Sequence, residues 1–115
     1  MNSFEFPKTF IFGVADADLQ VIGEDNTRKA EQSEETMWSY FAKHSGKCHN
    51  NDGPNAGIDR YHRWKEDIEL MKSLGVHHYR TSISMSRTLH KDGTVNMKAI
   101  EWYKTYFSAL QNAGI

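Results

Sequence analysis

The stretch YHRWKEDIELMKSLGVHHYRTSISMSR, Tyr61 to Arg87, decides how the chain is read. In its first half Tyr61, Trp64, Ile68 and Met71, with Ile58 just ahead of them, recur every three or four residues, and charged side chains fill the gaps. That period predicts an amphipathic helix. Ser73-Leu74-Gly75 stops it, because glycine enters the left-handed turn after a helix end without a steric penalty. Val76 to Met85 follows with valine, isoleucine, tyrosine and threonine and no helical period, so a strand is expected there. A helix joined to a strand through one glycine is a short connection of the kind α/β domains use.

Working outward, Phe10 to Ala15 (FIFGVA) is a short apolar run bounded by Pro7 and Asp16, which predicts a buried strand. Residues 23 to 36 are polar and charged and read as a solvated loop or surface helix. Met37, Trp38, Tyr40 and Phe41 predict one or two helical turns, and His44 to Gly57, rich in Gly, Asn, Asp and Pro, is expected to be irregular. Downstream, Asp92-Gly93 forms a turn. Asn96 is placed to cap a helix with Ile100, Tyr103, Phe107 and Leu110 on its apolar face, closed by Gly114. The order strand, loop, helix, strand, loop, helix predicts an α/β fold with parallel strands and right-handed crossovers.

Composition narrows the function. With 14 basic and 15 acidic residues the net charge is -1, which gives no footprint for nucleic acid or an anionic membrane. One cysteine, Cys48, excludes an intrachain disulfide framework. MNSFEFPKTF does not have the form of a secretory signal, and no apolar run approaches the roughly 20 residues of a membrane span, so a cytoplasmic location is expected. His44, Cys48 and His49 lack a second ligand pair at metal-binding spacing, so neither a metal nor a cofactor is expected. Glu34-Glu35 and Glu66-Asp67 are adjacent on helical segments and do not converge on one substrate; solvated faces are the better reading. His62 reads as a helix-packing residue, one of His77 and His78 is expected to be buried, and Trp64 and Trp102 belong with the core.

The quoted stretch also carries a resemblance. YHRWKEDIELMKSLGV followed by YRTSIS resembles the first-helix to second-strand segment of the family 1 glycoside hydrolases, the β-glucosidase, 6-phospho-β-glucosidase and β-galactosidase group. FPKTFIFGVADADLQVIGE, from Phe6, is similar to that family's opening strand, and Asp92-Gly93, Val95-Asn96 and Trp102-Tyr103 stand where its second helix begins. The resemblance runs in order from about Phe6 to Ile115. It implies that residues 1 to 115 are the N-terminal part of a single (β/α)8 TIM-barrel domain, its first two βα units, since a closed barrel takes roughly 250 residues.

The resemblance also implies a retaining β-glycosidase acting on a small carbohydrate or β-glycoside. Its two glutamates, in Thr-Phe-Asn-Glu-Pro-like and Thr-Glu-Asn-Gly-like motifs, do not occur in this sequence, so no catalytic residue is expected here. Gln20 falls on the glutamine that binds sugar hydroxyls in the family, a task suited to a carboxamide that donates and accepts at once. Arg80 falls on the arginine that supports the nucleophile. Asp16 and Asp18 replace residues usually small or hydroxylated. With Gln20 they share an i, i+2, i+4 face if the strand continues that far, which makes them candidate substrate-binding residues; solvated strand-end aspartates are the alternative. Ile22 stands where glutamate is common, and Met85 where tryptophan is frequent. A non-catalytic truncated paralogue, acting as a binding or interaction module, is the second reading of the chain.

Overall fold

A computed structural model describes residues 4–21, 23, 35–53 and 57–115. The elements in chain order are β1 (Val14–Ala15), α1 (Asp18–Val21), α2 (Met37–His44), a 3-10 turn (His49–Asn51), α3 (Arg60–Ser73), β2 (Tyr79–Arg80), α4 (Met85–Thr88) and α5 (Met97–Asn112). β1 and β2 pair in parallel, Val14 with Tyr79 and Ala15 with Arg80. The helix–glycine–strand reading of the quoted stretch holds: α3 ends at Ser73, and Gly75 takes the left-handed φ of 68° that closes it. Asn96 caps α5 by accepting from the Ala99 amide, and Gly114 follows its end at φ 78°.

Both strands are shorter than the stretches expected to form them. Phe10 to Gly13 carries no ladder, and Phe10, Ile11, Phe12 and Val14 are exposed, not buried. Phe6, Phe10 and Phe12 instead pack ring against ring at 4.5–5.0 Å. Beyond Arg80 the backbone bonds turn local, with the Arg87 and Thr88 amides donating to the Ser84 carbonyl, so Met85 opens a helical turn and does not end a strand. His77 and His78 are both exposed, where one had been expected inside. Neither lies within the two-residue ladder that sets inward and outward faces.

The core lies where α3 and α5 meet behind β2. Ile68, Met71, Tyr106 and Leu110 are its buried centre, with Trp64, Val76, Tyr79, Trp102 and Phe107 around them. On α5 the deepest positions are Ala99, Tyr103, Tyr106 and Leu110, while Ile100 and Phe107 are half-buried. The stripe is therefore rotated from the expected one. Ala99 is buried, and the Tyr106 hydroxyl bonds Tyr79 at 3.2 Å, which satisfies a polar group that burial would otherwise penalise. Trp102 stacks between Tyr61 and Tyr106 and donates its indole N–H to the Tyr61 carbonyl at 3.0 Å. Ile22 and residues 24–34 lie outside the described residues, including most of the expected solvated loop.

The two strands approach each other over a glycine. A Cβ on Gly13 would stand 2.6 Å from the His78 carbonyl oxygen and 3.0 Å from the His78 Cβ. The same carbonyl accepts the Val14 amide at 3.0 Å, the first bond of the ladder. Gly13→Ala should therefore spread β1 from β2 and destabilise by about 1–3 kcal/mol, the usual range for overpacking. Gly53→Ala, where a Cβ meets nothing within 4 Å, is the control. Paired urea titrations of the two variants check this; equal midpoints would mean that the strands accommodate the methyl group.

Candidate active site

In parallel α/β folds, ligands gather at the carboxyl ends of the strands, where loops diverge and backbone groups are free. Here those ends are Asp16 after β1 and Thr81 after β2. The Asp16 amide donates to the Arg80 carbonyl at 3.0 Å, which carries the ladder one residue past β1. The chain then turns into α1, held by the Asp18 amide on Ser82 Oγ at 2.7 Å and the Gln20 amide on the Ala17 carbonyl at 3.0 Å.

Gln20 and Arg80 both reach the surface at this end. Gln20 is exposed and lines an open cavity of about 400 Å³ with Leu19, Trp38, Phe41, Cys48 and Asp52. The cavity is predominantly apolar, and Gln20 and Asp52 give it polar groups to orient a ligand. Trp38 and Phe41 meet edge to face at 6.1 Å on its α2 wall. Arg80 is exposed, and its Nη1 lies 3.4 Å from the Asp16 carbonyl oxygen.

Asp16 and Asp18 behave otherwise than expected. The strand ends at Ala15 and Asp18–Val21 winds as a helical turn, so the i, i+2, i+4 face shared with Gln20 does not form. Asp16 is no solvated aspartate either: its side chain is 13% exposed and pairs with Arg60, itself 8% exposed. Tyr79 donates to Oδ2 at 2.6 Å and Thr81 to Oδ1 at 2.7 Å. Burial alone would raise the Asp16 carboxyl. The hydrogen bonds from Arg60, Tyr79 and Thr81 and the Arg60 charge outweigh that and hold it below the usual carboxylate range.

Asp18 goes the other way. Burial pushes its carboxyl up, against the lowering effect of hydrogen bonds from Ser84 and Tyr103 and of the Arg87 and Arg60 charges. The Tyr103 hydroxyl stands 3.2 Å from Asp18 Oδ1 and accepts the Ser84 amide at 2.9 Å. Both carboxylates thus take their donors from within the protein.

Arg60 is the residue that sequence reasoning missed. It sits at the first position of α3, in step with Trp64, Ile68 and Met71, so a cation occupies the buried stripe. That mismatch, together with an aspartate closing an apolar run at Asp16, was the available signal. Asp67, expected on a solvated face, places Oδ2 3.6 Å from Arg60 Nε, whereas Glu66 does pair in solvent with Arg63. Glu34 lies outside the described residues, and Glu35 meets Lys43 at 3.4 Å on the surface. His62 bonds Asp59 Oδ1 at 2.7 Å, at the surface and not in the helix packing expected of it. Among the described residues no group of three or more His, Cys, Asp or Glu side chains is arranged to hold a metal ion, and no helix is long and apolar enough to cross a membrane.

The model of glycosyl hydrolase family 1 matches residues 2–115. Beta-glucosidase A of Thermotoga maritima is 39% identical over 116 residues, covering 100% of this chain and 25% of that protein. Beta-glucosidase 44 of Arabidopsis thaliana is also 39% identical, over 96% of this chain and 21% of its own length. Among solved structures, a family 1 β-glucosidase from Thermotoga maritima superposes with a TM-score of 0.86 at 37% identity, over 99% of this chain and 25% of that one. The AHE enzyme from Alicyclobacillus herbarius gives 0.87 at 32% identity, over 100% and 26%. The chain spans about a quarter of the length of these relatives.

The opposed titrations of Asp16 and Asp18 generate a test. A carboxyl whose folded pKa is depressed stabilises the fold above its unfolded value, about 3.9, and that contribution is lost as pH falls through the folded value. Asp16→Asn should therefore flatten the acid limb of stability below about pH 4. Asp18, raised by burial, costs stability while ionised, and acidification through its folded pKa relieves that cost. Asp18→Asn should accordingly steepen the net loss on acidification. Thermal melts of the two variants between pH 3 and pH 7 read both slopes, and slopes like those of the parent protein would contradict the assigned environments.

Proposed function

Because the chain belongs to glycosyl hydrolase family 1, we propose that the protein hydrolyses the O-glycosidic bond of β-glucosides or related β-glycosides with retention of anomeric configuration. The observation that carries the reading is the family match over residues 2–115, with Arg80 ending β2 and Gln20 in the turn α1 that follows β1. The architecture we infer for the whole protein is a (β/α)8 barrel in which β1–α3 and β2–α5 are the first two units. The chain's radius of gyration, 17.1 Å against about 13 Å for a compact chain of this length, and the open aromatic face of Phe6, Phe10 and Phe12 support a segment that packs against further barrel. The single cysteine, Cys48, which is free, supports the cytoplasm as its location.

In the proposed chemistry two carboxyl groups about 5 Å apart flank the scissile bond. One attacks the anomeric carbon and forms a glycosyl-enzyme; the other protonates the leaving oxygen and then takes a proton from the incoming water. Both lie outside these 115 residues. This segment supplies the wall of the glycone site: the Gln20 carboxamide pairs with adjacent sugar hydroxyls, and the Arg80 guanidinium keeps the attacking carboxylate ionised and oriented. Exposure of both groups at one end of the sheet supports those roles.

The intact protein should release the aryl alcohol from aryl β-glucosides with the β-anomer of the sugar formed first, which proton NMR of the product reads. The 115-residue segment alone should show no turnover. Arg80→Met should lower kcat by about 100-fold, the scale of a misplaced reacting group. It should also move the low-pH limb upward, since a carboxylate without its cation ionises at higher pH. Arg80→Lys should recover part of the rate, because an ammonium lacks the planar fork. Gln20→Ala should weaken substrate use while leaving that limb in place. Normal turnover in Arg80→Met with an unmoved profile would rule out the role given to Arg80.

A further inference from the structure

The proposed chemistry leaves one tightly bonded set of side chains unused. Asp16 pairs with Arg60, and its two oxygens also accept the hydroxyls of Tyr79 and Thr81. Arg60 donates in addition to the Tyr79 hydroxyl, approaches Thr81 Oγ1 at 3.4 Å and stacks its guanidinium 5.4 Å from the Tyr79 ring centroid. Tyr106 on α5 donates to the same Tyr79 hydroxyl. One carboxylate at the end of β1 is thereby tied to α3, to β2 and, through Tyr79, to α5.

Two features give this cluster a direction. Tyr79 and Thr81 are the chain neighbours of Arg80, so the side chains on either side of it are both fixed to Asp16. The Asp16 backbone also brackets Arg80: its amide binds the Arg80 carbonyl at 3.0 Å, and its carbonyl meets Arg80 Nη1 at 3.4 Å. Ahead of the pair, Asp59 adopts a left-handed φ of 56° and ψ of 47°, and this sharp entry into α3 places Arg60 at the first position of the helix. A non-glycine residue held there costs stability, and such strain persists where the surroundings over-determine it.

We propose that Asp16 and Arg60 form a positioning pair for Arg80: the buried ion pair fixes the peptide just beyond β1, and that peptide aims the Arg80 guanidinium across the strand ends. A buried ion pair is retained at a desolvation cost, and apolar residues of similar size often give equal stability. What such residues lack is the set of directed bonds that holds one backbone position. The assignment of Asp16 to positioning also agrees with its carboxylate being taken up by Arg60, Tyr79 and Thr81.

The kinetic part of the test rests on the enzymatic reading above; the exchange part does not. In the intact protein, Asp16→Asn, Arg60→Lys and Arg60→Met are compared with Arg63→Met, which removes only an exposed pair with Glu66. Amide hydrogen exchange at Asp16, Asp18, Gln20 and Tyr79 to Ser82 should quicken in the first three and stay unchanged in Arg63→Met. The Arg60→Met variant should lose about 10- to 100-fold in kcat with KM within about threefold, and its low-pH limb should move in the same sense as that of Arg80→Met. Arg60→Met combined with Arg80→Met should be no slower than Arg80→Met alone, since residues that act through one another are not additive. Where Arg60→Met fails to fold, Arg60→Lys, which keeps the charge and loses the fork, carries the same comparison at smaller amplitude. Additive losses, a changed KM with normal kcat, or unchanged exchange would each overturn the proposal. A parent protein that cleaves no β-glycoside overturns the enzymatic reading instead, and the exchange rates then decide whether the pair locks the strand ends.

Discussion

A carboxylate withdrawn from water must be met by donors from the protein, and at Asp16 those donors come from the start of α3 and from β2 with the residue that follows it. Arg60 reaches it from the start of α3, Tyr79 from β2 and Thr81 from the position after it, with Tyr106 of α5 behind Tyr79. The parallel ladder between β1 and β2 contains only Val14–Ala15 and Tyr79–Arg80, too little backbone pairing to fix the relation of two strands by itself. The side-chain network around Asp16 supplies the missing constraint. Its strength comes from charge-assisted bonds in a site of low exposure, where each bond is worth more than in water and each missing one costs more.

The apolar architecture depends on that arrangement. Tyr106 is 1% exposed and belongs to both systems: its ring packs with Ile68, Met71 and Leu110, and its hydroxyl bonds Tyr79. Helix α5 therefore cannot rotate to present Ile100 and Phe107 fully to the core without breaking a polar contact. Trp102, stacked between Tyr61 and Tyr106, ties the first turn of α3 to the same position. In front of the sheet there is no equivalent layer among the described residues, and Phe6, Phe10 and Phe12 cover one another.

Two aspartates two residues apart illustrate how local surroundings divide one type of side chain. Asp16 meets a guanidinium and two hydroxyls and is held in its ionised form. Asp18 meets mainly burial, and its carboxyl titrates higher. Both are half-buried, whereas Gln20 and Arg80 are exposed. The proposed ligand-facing groups are thus the exposed ones, and the proposed positioning group is Asp16, whose donors come from within the protein.

The sequence by itself determined the order of the two strands and of α3 and α5, though not the turns α1 and α4, together with the α3–Gly75–β2 junction, the Asn96 cap and the family, because each is written in local spacing or in a contiguous motif. Helical period, a glycine with positive φ and a capping side chain act within a few residues, and a reader of the chain sees them directly. Strand lengths were not legible: the short apolar run Phe10–Ala15 and the non-helical stretch Val76–Met85 predicted strands longer than the two residues each that pair, and a strand exists only where a partner runs beside it. Only the tertiary structure decided the fate of Asp16. Its partner Arg60 is 44 residues away, and the hydroxyls of Tyr79 and Thr81 are further still. Whether a strand-end aspartate faces solvent, a sugar or a buried arginine depends on which groups the fold brings within about 3 Å of it, the reach of a hydrogen bond.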